Sequence, residues 1–361
     1  CHYCNFHFSK QQQLKPNLVA AICKEAFLRK EFNQGVIDTI YFGGGTPSLL
    51  SDAELHLILN TLHKYFTVSA TAEITLEANP DDINTKKLHE WHQAGINRLS
   101  IGIQSFFEED LQWMNRAHNA KQAKHCIELA QASGFDNLTI DLIYGTPGLT
   151  DERWKQNIET ALGLGIPHLS CYAARVESTP PLDAMIRKGA KQAVDAYQQS
   201  IHFNILTTTL LDAGFEHYEI SNFAKPGFRS KHNSSYWQGQ PYLGLGPAAH
   251  SFDGHLIRQW NISNNPLYIN SLEQEIIPFE FETLTTVQRI NEYIMTSLRT
   301  MEGISLHFLE TNWGGERSRE VMKAAQTHLD QKNIQLQGQN IILMPQGKFL
   351  ADGIAADLFV E

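Results

Sequence analysis

Short apolar runs alternate with segments of helical periodicity through the first two-thirds of the chain. The runs are rich in Val, Ile, Leu, Thr and Tyr, and each ends near Gly, Pro or a polar loop residue, as β-strands do. The predicted strands cover 36–42, 72–78, 97–103, 138–144 and 168–173. Because helical segments separate them at intervals of about 30 residues, the pattern predicts right-handed, parallel βαβ units.

The segments between these strands have apolar residues at helical spacing. The predicted helices cover 15–32, 119–133, 150–164 and 190–213, with another beginning at Ser51. Glu54 follows Ser51 by three residues and completes a capping box, while Gly134 and Gly165 are suitable C-caps. These units predict an α/β fold, a partial (β/α)6 barrel, whose working residues lie at the carboxyl ends of the strands.

The remaining third of the chain has a different pattern. A short strand is predicted at 217–221, and the next sixty or so residues, rich in Gly, Pro, Asn and aromatics, predict an ordered but irregular connecting segment. From residue 281 onward, a small helical, winged-helix-like domain is predicted. Its helices and hairpin strands cover 291–300, 317–331, 335–337 and 341–344. The expected domains are 1–221, 222–280 and 281–361.

The charge balance argues against a nucleic-acid partner. The 361 residues carry a formal net charge of -10, and phosphate binding needs clustered Lys and Arg. A winged helix suggests DNA, yet acidic residues outnumber basic ones from Glu282 onward. The sequence has no apolar run of about 18 residues, so no membrane-spanning helix is expected, and no signal peptide is visible.

Five sparse cysteines in a chain of this length do not form the pattern of a disulfide framework. A reducing, cytoplasmic location is therefore expected. Cys23 and Cys126 lie in predicted helices and Cys171 lies in a predicted strand. We interpret these three residues as small core hydrophobes rather than as ligands.

The other two cysteines, Cys1 and Cys4, form a Cys-x2-Cys pair. Such a pair can bind zinc, act as a redox dithiol or ligate an iron–sulfur cluster. Zinc would need two more ligands, for which His2 and His7 are candidates. Because the first residue is cysteine rather than methionine, one interpretation is a lipidated N-terminus. The better interpretation is that the first residues, including most of the first strand, are missing.

A glycine-rich turn follows the first predicted strand, in the sequence Thr-Ile-Tyr-Phe-Gly-Gly-Gly-Thr-Pro. Glycine lets a backbone with free N–H and C=O groups approach a ligand closely. Gly43 and Gly44 stand directly at the strand end, Thr46 adds a hydroxyl and Pro47 stiffens the exit. A tight turn without a ligand would use the same residues, so the motif alone leaves both interpretations open.

The next three predicted strands each carry a polar side chain. Glu77 and Gln104 stand at the ends of two of them, and Asp141 lies within the apolar run of the third. Such groups are costly to bury in a parallel sheet without a partner. Singly, Glu77 or Asp141 could cap a loop or pair with Arg98 or Arg116. Together, the three positions predict one shared polar ligand.

The linked motifs resemble the radical-SAM superfamily, in which Cys-x3-Cys-x2-Cys holds a [4Fe–4S] cluster. Cys1 and Cys4 match the last two of those cysteines, and the first would lie four positions before Cys1. The later motifs look like the HemN/HemW branch of the superfamily, and the resemblance covers essentially the whole chain. These later motifs are, in chain order, Gly-Gly-Gly-Thr-Pro, Glu-Ala-Asn-Pro, Ile-Gly-Ile-Gln-Ser-Phe, Arg-Ala-His and Asp-Leu-Ile-Tyr-Gly.

The resemblance implies a set of cofactor contacts. Gly43, Gly44 and Thr46 would meet the methionine part of S-adenosylmethionine. Its amino-acid and ribose groups would face Glu77, Gln104, Arg116 and Asp141. In the superfamily the cluster passes one electron to the bound sulfonium, and cleavage gives methionine and a 5′-deoxyadenosyl radical.

Two features of the sequence favour the HemW side of that branch. The related oxidases carry one more cysteine two residues after the last cluster ligand, where this sequence has Phe6. HemW-like proteins carry His-Asn-x-x-Tyr-Trp, which this sequence matches with His232, Asn233, Tyr236 and Trp237. Imidazole is a common axial heme ligand, and Tyr and Trp offer flat apolar faces to a porphyrin. His250 is a second candidate, although these residues could simply cover the open end of the sheet.

The resemblance therefore implies a heme chaperone that binds the cluster, S-adenosylmethionine and heme. It would receive electrons from a donor and pass heme to an acceptor protein. One alternative is an oxygen-independent coproporphyrinogen III oxidase, which removes carboxyl groups from propionate side chains by radical chemistry. Another is a non-catalytic regulatory protein that retains the barrel. Gln104, Asp141 and the intact glycine turn argue against a decayed site.

Overall fold

The computed structural model describes residues 12–32, 35–175, 185–189 and 191–361. Cys1 and Cys4 lie outside the described residues. The chain forms two compact units. Unit 1 contains the described residues of 12–27, 35–216 and 221–229, and unit 2 contains those of 28–32, 217–220 and 230–361. The predicted connecting segment is therefore divided, since its first eight residues belong to unit 1 and the rest to unit 2.

Strands and helices alternate through the parallel sheet of unit 1, as the sequence pattern predicts. The strands are β1 (Ile37–Phe42), β2 (Val68–Ala78), β3 (Arg98–Gln104), β4 (Leu138–Tyr144), β5 (His168–Ala173), β6 (Glu216–Glu219), β7 (Asn222–Ala224), β8 (His250–Phe252), β9 (Ile257–Asn261), β10 (Phe279–Thr283), β11 (Ile304–Ser305), β12 (Ile334–Gln337) and β13 (Asn340–Leu343). The helices are α1 (Lys15–Leu28), α2 (Asp52–Tyr65), α3 (Thr85–Gln93), α4 (Glu108–Met114), α5 (Ala120–Ala132), α6 (Asp151–Gly163), α7 (Ala196–Asp212), α8 (Lys231–Trp237), α9 (Asn265–Glu273), α10 (Thr286–Leu298), α11 (Leu306–Trp313), α12 (Gly315–Asp330), α13 (Pro345–Lys348) and α14 (Ala351–Asp357).

Unit 1 is built on the parallel sheet that the sequence predicts. Strands β1 to β5 pair in sequence order, each parallel to the next, and β7 adds to β5 in the antiparallel sense. Because the carboxyl ends of parallel strands meet at one edge, the loops after β1 to β4 lie side by side. All five predicted strands are confirmed within a few residues.

Several helices of unit 1 begin at side-chain caps. Ser51 and Glu54 form the predicted capping box at the start of α2, with both reciprocal hydrogen bonds present. Thr150 caps α6 by accepting a hydrogen bond from the amide of Arg153. Asp195 caps α7, so that helix begins later than the residue 190 expected from the sequence. These caps satisfy amide groups that have no partner within the helix.

The apolar core of unit 1 lies between one face of the sheet and its helices. Alternate residues of each strand, such as Leu76, Ile101 and Ile140, are fully buried in this layer. Trp91 of α3 and Trp154 of α6 pack into the same core from the helix side. Because side chains alternate between the two faces of a strand, the residues in between must face the other way.

Unit 2 contains a three-stranded antiparallel sheet in the order β10-β9-β8. It lies where an irregular segment was predicted, and that prediction is wrong. Each strand is short, and β9 and β10 are separated by α9, so their pairing of Ile257–Asn261 with Phe279–Thr283 joins distant parts of the sequence. Single-sequence periodicity carries no signal for such a pairing.

The end of the chain has the element order of a winged helix, as predicted. Helix α10 leads into β11, helices α11 and α12 follow, and the hairpin β12–β13 closes a sheet in the order β11-β13-β12. Its separate apolar core includes Ile290, Ile294, Leu309 and Ile341. Among the described helices of the chain, none combines the length and the apolar character needed to cross a bilayer.

Candidate functional site

The second face of the parallel sheet in unit 1 is mostly polar. Its residues alternate with the apolar core positions and pair across the strands in register. The face carries Thr39 and Tyr41 of β1, Glu73, Thr75 and Glu77 of β2, Arg98, Ser100 and Gly102 of β3, Thr139, Asp141 and Ile143 of β4, and His168, Ser170 and Tyr172 of β5. The predicted site residues Glu77 and Asp141 therefore lie on one wall.

Glu77 is held by β1 and by the glycine turn that follows β1. The Tyr41 hydroxyl donates a 2.8 Å hydrogen bond to Oε1 of Glu77. The backbone amide of Gly44 donates to Oε2 of the same carboxylate at 3.3 Å. Burial raises the pKa of Glu77 above its usual value, while both hydrogen bonds lower it. The carboxylate is thus fixed next to the exposed glycine turn, as the sequence predicted.

Two glycines leave room at this end of the sheet. A Cβ at Gly43 would lie 2.6 Å from the Tyr41 ring and 3.2 Å from Oε1 of Glu77. A Cβ at Gly102 would lie 3.0 Å from Nε2 of Gln104 and 3.2 Å from Nη2 of Arg116. Real Cβ atoms do not make contacts as short as the first, so these positions need glycine for space rather than for backbone conformation.

Arg116 follows α4 and reaches back to the ends of β2 and β3. Its Nη2 donates to Oδ1 of Asn79 at 3.0 Å and to the carbonyl of Gly102 at 2.8 Å. Gln104 lies beside it at the end of β3, with a φ of 67° that few residues other than glycine adopt. The structure therefore brings Gln104 and Arg116 together with Glu77 and Asp141 at one edge.

Asp141 carries the most perturbed carboxyl group of this edge. Burial and, to a lesser extent, the Glu77 carboxylate raise its pKa, the Arg116 guanidinium lowers it, and the net pKa is about 7. Two carboxylates that repel each other inside a sheet are unfavourable without a cationic partner. The arrangement therefore suits a ligand that carries positive charge.

Thr46 begins the short 3-10 turn Pro47–Leu49 after the glycines. Ser48 in that turn donates a 2.6 Å hydrogen bond to Asp82, which follows β2. Lys87 adds a 2.8 Å hydrogen bond to the Ser48 carbonyl. These contacts tie the loop after β1 to the loop after β2, and so they hold the glycine turn against Glu77.

Arg98 lies at the opposite, amino-terminal end of the polar wall. It is buried, and it donates to Asn137 and, at 2.6 Å, to Thr139. His168 is fully buried beside Thr139 at 3.1 Å, and its burial holds its pKa well below the usual value. The hydrogen bonds of Arg98 are therefore made at the start of the strands, and Arg116 is the arginine whose charge acts on Asp141.

The described cysteines differ in their surroundings. Cys126 and Cys171 are buried in the core of unit 1, which confirms the prediction for both. Cys23 is only half-buried, because it lies in a shallow groove between α1 and α2 lined also by Lys24 and Lys64. The core prediction is thus wrong for Cys23. No three His, Cys, Asp or Glu side chains among the described residues group as a metal site.

In unit 2, helix α8 carries the predicted His-Asn-x-x-Tyr-Trp motif. His232 and Tyr236 lie one turn apart on the same face, with Nε2 of the imidazole 3.0 Å from the phenol oxygen. The Tyr236 ring packs edge-on against His232 on one side and against Tyr242 on the other, at centroid distances of 5.0 and 4.8 Å. Phe252 of β8 continues this row, 6.3 Å from Tyr242.

The other motif residues have different neighbours. The Trp237 ring lies under the guanidinium of Arg299 at 5.3 Å, and its Nε1 is buried without a hydrogen-bond partner. Asn233 donates its backbone amide to the capping Ser230. His250 of β8 is exposed and lies 6.3 Å from the Trp260 ring of β9. The structure thus groups His232 with Tyr236 and places His250 on the neighbouring sheet.

Sequence reasoning missed three residues of these sites. Tyr41 looked like one more apolar strand residue, although it alternates with Ile40 and Phe42 and so faces the polar wall. Asn79 was quoted only as part of a motif, yet it accepts from Arg116. Tyr242 lies outside the motif on α8, and only the three-dimensional structure places it against Tyr236.

Comparison with known proteins agrees with this geometry. The radical SAM superfamily profile matches residues 1–161. The fold superposes on the Escherichia coli coproporphyrinogen III oxidase HemN, a radical SAM enzyme, with a TM-score of 0.85 and 22% identity, over 100% of this chain and 87% of that one. The likeness confirms the predicted α/β fold with its curled, partial barrel. Fold, polar wall and profile together define a radical SAM protein.

Curated relatives define the family more closely. The heme chaperone HemW of Bacillus subtilis is 33% identical over 84% of this chain and 81% of that protein. The heme chaperone HemW of Mycobacterium tuberculosis is 31% identical over 99% of this chain and 91% of that protein. The Escherichia coli protein of the same name is 34% identical over 72% of this chain and 69% of that protein. The chain belongs to the HemW-like family of the radical SAM superfamily.

Proposed function

We propose that this protein is a radical SAM-type heme chaperone, which binds heme in unit 2 and passes it to an acceptor protein. The observation that carries the proposal is the His232–Tyr236 pair in a partly exposed row of aromatic rings. Imidazole is a common axial ligand of heme iron, and aromatic rings match the apolar faces of a porphyrin. The relatives named as heme chaperones support the same function.

The polar wall of unit 1 fits S-adenosylmethionine. This molecule carries a sulfonium and an ammonium group, which suit the carboxylates of Glu77 and Asp141. Its own carboxylate suits a guanidinium such as Arg116, and Gln104 adds an amide. Glycine at positions 43 and 102 lets these polar side chains lie close against the strand ends, where a side chain would displace them. Thr46 belongs to the same proposed contact set.

The cluster would supply an electron to S-adenosylmethionine, and that chemistry belongs to the cofactors rather than to the side chains. Cys1 and Cys4 are the proposed ligands, and an electron donor is a proposed partner. The work of the described residues is to bind and orient the nucleoside. The Tyr41 and Gly44 hydrogen bonds do so by fixing both oxygens of Glu77.

A heme titration followed at the Soret band tests the proposal. We expect saturable binding by the wild-type protein and at least tenfold weaker binding by His232→Ala, because the axial ligand is lost. His255→Ala is the matched control, since His255 is an exposed imidazole on the loop between β8 and β9. His250→Ala measures the contribution of the second candidate. Equal binding by wild type and His232→Ala would remove His232 from the proposal.

The alternative function, a coproporphyrinogen III oxidase, can be tested by its product. A coproporphyrinogen III oxidase would release carbon dioxide from the propionate groups of its substrate in the presence of S-adenosylmethionine and a reductant. We expect no such release, because Phe6 replaces the additional cysteine of the oxidases. Decarboxylation by the cluster-loaded protein would overturn the chaperone proposal. If the wild-type protein bound neither heme nor S-adenosylmethionine, a purely regulatory role would be favoured instead.

A further inference from the structure

One hydrogen bond on α8 occupies the atom that heme iron would use. Nε2 of His232 lies 3.0 Å from the hydroxyl of Tyr236, one helical turn further along. An imidazole binds iron through a ring nitrogen whose lone pair must be free. Whichever of the two groups donates the proton, Nε2 is engaged. Iron can reach this nitrogen only when the contact with Tyr236 is broken.

The neighbouring rings hold the Tyr236 hydroxyl in this place. The ring stands nearly perpendicular to His232, at an interplanar angle of 85°, and to Tyr242, at 83°. Tyr242 is itself fixed by its backbone pairing with Phe252 on β8. The phenol is therefore packed between two rings, and its contact with His232 is part of the folded structure rather than one rotamer of a loose side chain.

We propose that Tyr236 competes with heme iron for Nε2 of His232 and thereby weakens heme binding and speeds heme release. The inference rests on the proposed function and deepens it. On heme binding, the Nε2–iron bond replaces the hydrogen bond to Tyr236. His232 binds as the neutral imidazole with its proton on Nδ1, and Tyr236, which is 40% exposed, keeps its phenol proton and hydrogen-bonds water once the two side chains have separated. A protein that must pass heme on gains from such a competitor, because the Tyr236 hydroxyl can bond to Nε2 of His232 as soon as the heme leaves.

Tyr236→Phe removes the competing hydroxyl and keeps the ring that packs beside the heme site. Since one hydrogen bond is worth roughly a fivefold change in an equilibrium constant, we expect Kd for heme to fall about fivefold. Transfer of heme to excess apomyoglobin, followed at the Soret band, should slow by a similar factor. Tyr197→Phe is the control, because it removes an exposed hydroxyl on α7, outside the proposed heme site.

A second measurement needs no heme. Diethylpyrocarbonate acylates free imidazole nitrogens, and peptide mass spectrometry resolves His232 from the other histidines. We expect His232 to react several-fold faster in Tyr236→Phe than in the wild type or in Tyr197→Phe. Equal reactivity in all three proteins would show that Tyr236 does not block the nitrogen.

The outcomes separate this inference from the proposed function. If heme binding requires His232 but Tyr236→Phe binds heme equally well or more weakly, the competition is refuted and the chaperone proposal stands. If the wild type and His232→Ala bind heme alike, the proposed heme site fails, and the competition at His232 fails with it. Tighter binding and slower transfer in Tyr236→Phe alone support both.

Discussion

Tyr41 on β1 donates its phenol proton to Glu77 on the neighbouring strand β2, over 2.8 Å. The second oxygen of that carboxylate accepts the amide of Gly44, so one strand and the turn after it fix both oxygens. Burial raises the pKa of Tyr41 well above its usual value, and the Glu77 carboxylate raises it further. The phenol therefore stays protonated near neutral pH and remains a donor, and the orientation of Glu77 depends on it.

Tyr41→Phe removes this donor while it keeps the ring. We expect the affinity for S-adenosylmethionine to fall about tenfold or more, because a hydrogen bond to a charged group is worth roughly 1.5–3 kcal/mol and about 1.4 kcal/mol is a factor of ten. Isothermal titration calorimetry on the cluster-loaded protein measures the change. Tyr197→Phe is the control, since that side chain is 73% exposed on α7. Unchanged affinity in Tyr41→Phe would show that Glu77 is oriented without the phenol.

Gly43→Ala tests the space beside the glycine turn. The added Cβ would meet the Tyr41 ring at 2.6 Å, so ring or loop must move. Such overpacking costs about 1–3 kcal/mol of unfolding free energy, and the displaced Tyr41 should weaken nucleoside binding as well. Gly163→Ala is the matched change, because that glycine lies in α6 with open space at its Cβ position. We expect it to be neutral or stabilising by up to about 1 kcal/mol in urea unfolding.

Asp141 should make the cofactor-free protein less stable as the pH rises. Burial raises the pKa of Asp141 in the folded state to about 7, from 3.8. An acid whose pKa is raised by folding stabilises the folded state while it is protonated. Its contribution to the unfolding free energy is therefore complete below about pH 4 and is lost as the pH rises through 7. Asp141→Asn should remove this dependence, on the order of 2–4 kcal/mol between pH 4 and pH 8.

Unfolding free energies of the wild type and the variant across that pH range measure the difference. Asp136→Asn is the control, because Asp136 lies exposed just before β4. If all three proteins lost stability in parallel with rising pH, Asp141 would not be the titrating group.

Arg98 should matter for folding rather than for binding. Its guanidinium is only 1% exposed and donates to Thr139 at 2.6 Å and to Asn137 at the start of the polar wall. Arg98→Met leaves these acceptors buried and unsatisfied, so we expect a loss of about 2–4 kcal/mol. The denaturation midpoint in urea measures it. Arg317→Met removes a partly exposed pair with Glu320 and should cost less than about 1 kcal/mol.

The parallel sheet of unit 1 could be predicted because its strands are local signals. The apolar run of β4 ends at Tyr144, directly before a glycine, and the structure has the predicted bounds. Helix α3 was missed, since only Leu88 and Trp91 of its residues are buried apolar side chains. The sheet of β8 to β10 was missed because β8 is only three residues long and because β9 pairs with β10 across an intervening helix, so no short window of sequence contains both strands of that pair.

The candidate site could be predicted as far as topology alone defines it. Parallel strands end at one edge, so Glu77, Gln104 and Asp141 were expected together, and they are. What topology does not give is which neighbour holds each group. The Tyr41 contact depends on the register of β1 against β2. The contact between Tyr236 and Tyr242 depends on a chain reversal after α8, which nothing in the motif specifies.

In unit 1, residues of the polar wall and residues of the apolar core alternate along the same strands. Along β4, Leu138, Ile140 and Leu142 face the helices while Thr139 and Asp141 face the polar wall. Inserting one residue at the start of this strand would exchange the two sets, placing the carboxylate in the apolar layer and leucines on the polar wall. Substitutions can therefore retune the chemistry of this site one position at a time, whereas a single-codon insertion would destroy binding and folding in the same step.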